Sequence, residues 1–151
     1  MIIRTAKQTD AKTIKYFFDE LRKYELGLFD GEIRYMQENW EEKRSIVSIR
    51  KLLRTKGRFL VAEEGKVIGF ANGYVVIGAK YKEGYIDTLY VSRPFRGGGV
   101  GKALTTELIK WFKKQGCKTV SLNTYLANKK ANTFYRKLKF RPIGIRYRKR
   151  I

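Results

Sequence analysis

Four glycines fall within five positions, Gly97, Gly98, Gly99 and Gly101, in the stretch RPFRGGGVGKALTTELIKWF that runs from Arg93 to Phe112. A strand-like run, GYIDTLYVS, precedes them, and an amphipathic run follows without a break. Val100, Leu104, Leu108 and Trp111 form its apolar stripe, and Gly116 ends it. A turn of this kind constrains the chain to pass directly from a strand into a helix. Glycines allow unusual φ angles and close approach of other atoms. The helix start offers unpaired N–H groups and a positive dipole end, which suits a diphosphate. Two common phosphate-binding patterns fail. G-x-G-x-x-G ends on Lys102 when started at Gly97 and on Leu104 when started at Gly99. G-x-x-x-x-G-K-[ST] has Arg96 in its first place and Ala103 in its last. What remains is R-x-x-G-x-G, from Arg96 to Gly101, with Arg96 and Lys102 adding charge. The same residues also fit a plain glycine turn at the head of an ordinary helix.

The rest of the chain supplies mostly strands. MIIRTA reads as a first strand. TDAKTIKYFFDELRKYEL reads as a helix that Thr9 or Asp10 can cap, with Ile14, Phe17, Phe18 and Leu21 at helical spacing. A polar, acidic helical region follows from about Gly31 to Arg54, broken within. RFLVAEE and KVIGFANGYVVIGAKY form two strands about an EEGK turn. KTVSLNTYL is a strand after the glycine-loop helix, NKKANTFYRKLKF carries a short helix, and RPIGIRYRKRI closes the chain as a strand. Three successive strands in a meander exclude a regular doubly wound sheet and predict a mixed α/β arrangement with helices packed on the sheet.

The length, 151 residues, allows one domain with a core of its own. No run approaches the ~18 apolar residues of a membrane span, and the N-terminus lacks the apolar core of a secretory signal, so a cytoplasmic protein is the default. Cys117 is the single cysteine and there is no histidine, so neither an internal disulfide nor a metal site is expected. The net charge of +20 is unevenly spread. Asp19 to Glu42 holds eight acids and three bases; after Glu107 come fourteen lysines and arginines and no acid. A basic half suits a polyanion such as nucleic acid or a phosphorylated ligand, and equally a solvated basic surface.

YIDTLYVSRPFRGGGVG followed by NKKANTFYRKLKF resembles the GNAT superfamily of acyl-CoA-dependent N-acetyltransferases, and the likeness extends over nearly the whole chain. It implies a mostly antiparallel sheet with splayed central strands, Gly84–Ser92 and Lys118–Tyr125, and helices on both faces. It implies acetyl-CoA as acetyl donor, with its diphosphate on the main chain of Arg96, Gly97, Gly98, Gly99, Val100, Gly101 and Lys102. Leu89, Tyr90 and Val91 match the segment whose main chain pairs with the pantetheine arm. Asn128 matches a residue that contacts that arm, and it also fits an N-cap. Tyr135 matches the tyrosine near the sulfur, and it also fits a core aromatic beside Phe134. One departure stands out: Lys139 occupies a place where glycine is usual, which bears on the local turn.

Residue chemistry then assigns tasks. An alkyl ammonium must lose a proton before it attacks, which costs roughly 4–5 kcal/mol at neutral pH. Main-chain amides of Leu89–Val91 suit the oxyanion, and Tyr135 suits the proton that the leaving thiolate needs. Without histidine, Asp87 is the chosen base, acting through water or by holding the ammonium. Two residues before Leu89, it is expected to share that residue's face of the strand. Its other reading is an ion-pairing carboxylate. Cys117 lacks a partner base and is no nucleophile. The acidic stretch favours a cationic amine, either a small molecule or a basic peptide. A homodimer is compatible with the family. The competing reading is a nucleic-acid-binding module of the same fold, using Arg141, Arg146, Tyr147, Arg148, Lys149 and Arg150.

Overall fold

Asp10 closes the short 3-10 turn, Gln8–Asp10, that leads into the first helix, and two contacts hold it there. Its Oδ2 accepts the Lys7 N–H at 2.7 Å, and its carboxylate meets the Arg4 guanidinium. In the computed structural model, which describes residues 1–40, 44–55, 57–149 and 151, the elements in chain order are these. Strand β1 covers Ile2–Thr5, and helices α1, α2 and α3 cover Ala11–Leu26, Gly31–Trp40 and Ile46–Leu52. Strands β2, β3 and β4 cover Arg58–Glu64, Lys66–Ile77 and Lys82–Val91. Helix α4 covers Val100–Lys114, β5 covers Cys117–Leu122, and α5 covers Lys129–Lys137. Glu41, Glu42 and Arg150, three of the charges weighed above, lie outside the described residues.

Two compact units result, one formed by residues 1–19 and 44–123, the other by 20–43 and 124–151. The first holds the five-stranded sheet, in the order β1-β2-β3-β4-β5. Every neighbouring pair is antiparallel except β4 with β5, which α4 connects in parallel. Helices cover both faces. On one, Phe17 and Phe18 of α1 lie 4.9 Å from the Tyr90 ring and 4.8 Å from the Phe70 ring. On the other, α4 buries Leu104, Leu108 and Phe112 completely. Each such side chain contributes about 1.5–3 kcal/mol of burial. The close seat of α4 depends on Gly84, where an added Cβ would stand 2.3 Å from the Phe112 ring.

The second unit holds the end of α1, α2, α5 and the C-terminal segment. Phe29 meets Tyr125 edge to face at 4.9 Å, and Arg148 donates to Gln37 Oε1 at 3.2 Å. The strand expected at the C-terminus is absent: residues 141–149 have no regular structure and are exposed, Tyr147 at 88% and Ile143 at 94%. The alternation of IGIRYR suits a strand, but no described strand pairs with it, and unpaired backbone has no ladder to fix it. β5 likewise stops at Leu122, short of the expected Tyr125. Among the described residues, no helix is long and apolar enough to cross a membrane, and no three Cys, Asp or Glu residues converge as metal ligands.

Candidate active site

β4 outruns its neighbour. β5 follows it only as far as the pair Ile86–Leu122, while β4 continues to Val91 against β3 alone. The phase of the remaining ladder is fixed by the Ser92 N–H, which donates to the Ile68 carbonyl at 2.9 Å. Alternation along the antiparallel pair then directs Tyr90 to β3, and Leu89 and Val91 away from it. Their main-chain groups face the side that β5 has vacated. One of them is taken: the Val91 carbonyl accepts from Arg96 Nε at 2.7 Å. The Arg96 guanidinium carbon also lies 5.6 Å from the Tyr90 ring centre. Arg96 thus tethers the glycine loop to the open end of β4.

The loop itself begins with a single 3-10 turn, Arg93–Phe95. Gly97 and Gly99 take φ of +86° and +84°, with open space where a Cβ would stand. Conformation, not room, requires glycine there. The first α4 bond is Ala103 N–H to the Gly99 carbonyl, at 2.9 Å. The N–H groups of Val100, Gly101 and Lys102 precede it and have no acceptor four residues back. A hollow of about 460 Å³ beside this turn is lined by Ile3, Gly99, Lys102, Ala103, Thr106 and Glu107.

Asp87 departs from expectation in one respect. Asn72 pairs with Thr88 and Gly73 with Ile86, so Asp87 is an extra residue with no partner on β3, a β-bulge. The bulge reverses which face each later residue takes. Gly84 abuts Phe112 of α4, whereas Tyr90, an even number of residues on, stacks on Phe17 of α1. The Asp87 side chain therefore lies on the α1 face with Asn72, and Leu89 lies on the α4 face. The two do not share a face. Three groups approach Asp87 Oδ2: Asn72 Nδ2 at 3.0 Å, the Thr88 hydroxyl at 3.4 Å, and Arg44 Nη2 at 3.6 Å. The Arg44 guanidinium carbon stands 4.7 Å above the Phe18 ring. A cavity of about 190 Å³ opens here, lined by Arg44, Phe59, Asn72, Tyr74 and Asp87 among others. Asn72 is only 6% exposed, and its Oδ1 is buried without a donor. Burial, and then the Asp87 charge, push the Tyr74 phenol above its ordinary range.

Arg44, Asn72 and Tyr74 are absent from the sequence-based candidates. Asn72 carried a signal, a lone amide inside an apolar strand run; Arg44 carried none.

The remaining two candidates belong to the second unit. Asn128 caps α5, its Oδ1 accepting from the Ala131 N–H at 3.2 Å and from the Tyr24 hydroxyl at 3.3 Å. Tyr135 lies between Phe134 and Phe140, at 5.0 and 5.6 Å. Burial first, and the Glu25 charge second, raise its phenol well above 10. Just beyond, Lys139 takes a left-handed φ of +68°, and the Phe140 N–H returns to the Tyr135 carbonyl. The turn where glycine is usual therefore forms, with a lysine in the glycine conformation.

Comparison with known proteins draws these features together. The sequence pattern of the acetyltransferase (GNAT) family matches residues 18–140. The chain belongs to the GNAT family. N-alpha-acetyltransferase MAK3 of Arabidopsis thaliana is 34% identical over 82 residues, which are 54% of this chain and 43% of that protein. The mycothiol acetyltransferase of Streptomyces coelicolor is 34% identical over 84 residues, 56% of this chain and 26% of that protein. The aligned stretch thus spans less than half of these curated GNAT relatives. Among solved structures, the tetramutant of a Bacillus halodurans protein superposes with a TM-score of 0.84 at 18% identity, over 100% of both chains. An aminoglycoside acetyltransferase from an uncultured soil sample, solved with sisomicin, gives a TM-score of 0.72 at 19% identity, over 99% of this chain and 95% of that one. At such identities the structures establish the GNAT fold, which is a mixed α/β fold built on a mostly antiparallel five-stranded sheet.

Proposed function

We propose that this GNAT protein transfers an acetyl group from acetyl-CoA directly to a primary amine that arrives as its ammonium. One observation carries the reading. β4 extends past the end of β5 and leaves the Leu89 and Val91 N–H groups without a strand partner, on the strand that leads into the glycine loop. Those groups fit a pantetheine arm and an acyl oxygen. The main chain from Arg96 to Lys102, with the Lys102 ammonium, fits a diphosphate. Bound acetyl-CoA supplies an activated acyl carbon. Asn128 and Tyr135 take their roles from their match to the family pattern.

The proton chemistry rests on this chain's residues. Asp87 holds the ammonium and passes its proton toward solvent, which makes the lone pair available. Leu89 and Val91 N–H groups stabilise charge on the acyl oxygen, a kind of contact worth about 10²–10³ in rate. A C–N bond forms as the C–S bond breaks, and one amine proton is released. The Tyr135 phenol, held above its ordinary range, stays protonated at neutral pH. It lies above a thiol at ~8.5, so it serves the departing sulfur as a hydrogen-bond donor, and the sulfur's proton comes from solvent.

The acidic stretch favours a cationic acceptor, and its described acids beyond Asp19, which are Glu20, Glu25, Asp30, Glu32 and Glu38, belong to the second unit. The cavity at Asp87 contains a cation of its own.

Calorimetry with coenzyme A and acetyl-CoA tests the site, and heat with both is expected; well-folded protein that gives none ends the reading. Thiol release from acetyl-CoA against a panel of amines and basic peptides tests the reaction. A second activity, docking on nucleic acid, is favoured by the exposed basic residues of 141–149, with Tyr147 among them. It predicts a salt-sensitive shift of DNA or RNA that survives removal of coenzyme A.

A further inference from the structure

We infer that the acceptor amine carries an anionic group a short spacer away, a carboxylate or phosphate, and that Arg44 receives that group while Asp87 receives the ammonium. The inference rests on the Asp87 cavity being the acceptor site, as proposed above. Its own ground is the charge and geometry of the lining. Of the nine described lining residues, Arg44 and Asp87 carry the only charges. A site built for polycations would concentrate acids; among the described residues this one brings together one charge of each sign, 3.6 Å apart at the nearest atoms.

The pair is not saturated. At 3.6 Å the contact lies beyond hydrogen-bond distance. Among the described residues, no hydrogen bond engages the Arg44 guanidinium; its carbon stands 4.7 Å from the Phe18 ring centre, a contact that braces it without using its N–H donors. Asp87 meets Asn72, Thr88 and Arg44 through Oδ2, and among the described residues no contact engages its Oδ1. Asn72 holds Asp87 through Nδ2, and its buried Oδ1 accepts nothing. The cavity thus offers acceptors for an ammonium and a forked donor for an anion. A planar fork matches a carboxylate or phosphate in two hydrogen bonds. A wholly cationic acceptor would meet the Arg44 guanidinium in the cavity lining and be repelled. A cavity of about 190 Å³ also suits a small amine acid better than a bulky polyamine.

The test uses three amines of one chain length: β-alanine, propylamine and diaminopropane. Each is measured by competition calorimetry in the presence of coenzyme A, and by thiol release with acetyl-CoA. The wild-type protein, Arg44→Gln and Arg44→Lys are compared. The wild type should bind β-alanine about tenfold or more tighter than diaminopropane. Arg44→Gln should abolish or invert that ratio, mainly by improving the diamine, and Arg44→Lys should restore part of it. Loss of fold in Arg44→Gln would weaken all three amines equally, which the ratio ignores and Arg44→Lys checks. A wild type that prefers the diamine, or a ratio unmoved in both variants, overturns the inference and leaves acetyl transfer standing. Selective β-alanine binding without thiol release for any amine would leave the charge reading and overturn the transfer reading.

Discussion

Arg4 reaches Asp10 with two nitrogens, at 2.7 and 3.0 Å, and turns its Nε to Glu63. Arg44 comes within 3.6 Å of Asp87 and leans on a ring instead. The side chains of the first pair are 23% and 8% exposed, those of the second 37% and 29%. Asp10 also accepts the Lys7 N–H, so its lone pairs are engaged from three directions at the head of α1. Its carboxyl is held below the ordinary range, first by the Arg4 hydrogen bonds. Asp87 sits on a bulge, with one oxygen outside any hydrogen bond. Saturation marks a group that fixes structure, because every partner it has is already protein. Open valence on a braced pair marks a group that waits for a partner from solution.

The sharpest way to break this contrast is to remove the charge from each aspartate. Asp87→Asn should lower kcat/KM for the best amine by about 10²–10⁴, the range lost with a positioned proton-transfer group. Its folding stability should change by less than about 0.5 kcal/mol, as for partly exposed surface sites. Steady-state kinetics beside chemical denaturation measure both; unchanged kinetics would remove Asp87 from the reaction.

Asp10→Asn should behave in the opposite way. It should lose about 1.5–3 kcal/mol of stability, the worth of hydrogen bonds to a charged group, while the folded protein keeps its kcat. The pH dependence has a definite sign. The folded-state pKa of Asp10 is depressed below the ordinary aspartate value of 3.8. Its stabilisation is therefore complete above that value and is lost as pH falls through the lower folded-state value. The stability gap between wild type and Asp10→Asn should be full at neutral pH and close only in strong acid. A gap that closes already near neutrality would contradict the saturated role.

How much of this was legible in the sequence follows from the range of the interactions. The glycine loop, its tie to a strand and a helix, and the order of elements from β1 to α5 rest on local pattern, and they read directly. The cap offered to Thr9 or Asp10 did not: the Asp10 carboxylate turns back to the Lys7 N–H and closes the 3-10 turn ahead of α1. The bulge did not, because Asp87 is extra only relative to β3, fifteen residues away in sequence at Asn72. Alternation alone put Asp87 with Leu89, and pairing with β3 reversed that. Arg44 was invisible for the same reason: its neighbours Phe18 and Asp87 are distant in the chain. The last strand failed conversely. IGIRYR has the right alternation, and no described neighbour pairs with it.

Tyr135, half-buried and proposed for the departing sulfur, gives a smaller effect that extends the contrast. Tyr135→Phe should lower kcat about tenfold, the worth of one hydrogen bond of roughly 1.4 kcal/mol. Acetyl-CoA affinity should stay unchanged, since the ring packing against Phe134 and Phe140 is kept. Turnover equal to wild type would return Tyr135 to the role of a packed aromatic.

The smallest effect isolates stability from function. Lys139 holds φ at +68°, where a side chain costs about 1–2 kcal/mol relative to glycine. Glycine there would relieve that strain but lose more backbone entropy on folding, about 0.5–1 kcal/mol. The two terms leave a net gain of roughly 0.5 kcal/mol for Lys139→Gly. Lys139 is exposed, and its N–H to the Arg136 carbonyl survives the change, so no contact of Tyr135 is lost. Denaturation should therefore shift upward while kcat and KM stay fixed. Lower stability would mean that the lysine side chain contributes something the turn geometry does not account for, and changed kinetics would tie the turn to Tyr135's placement.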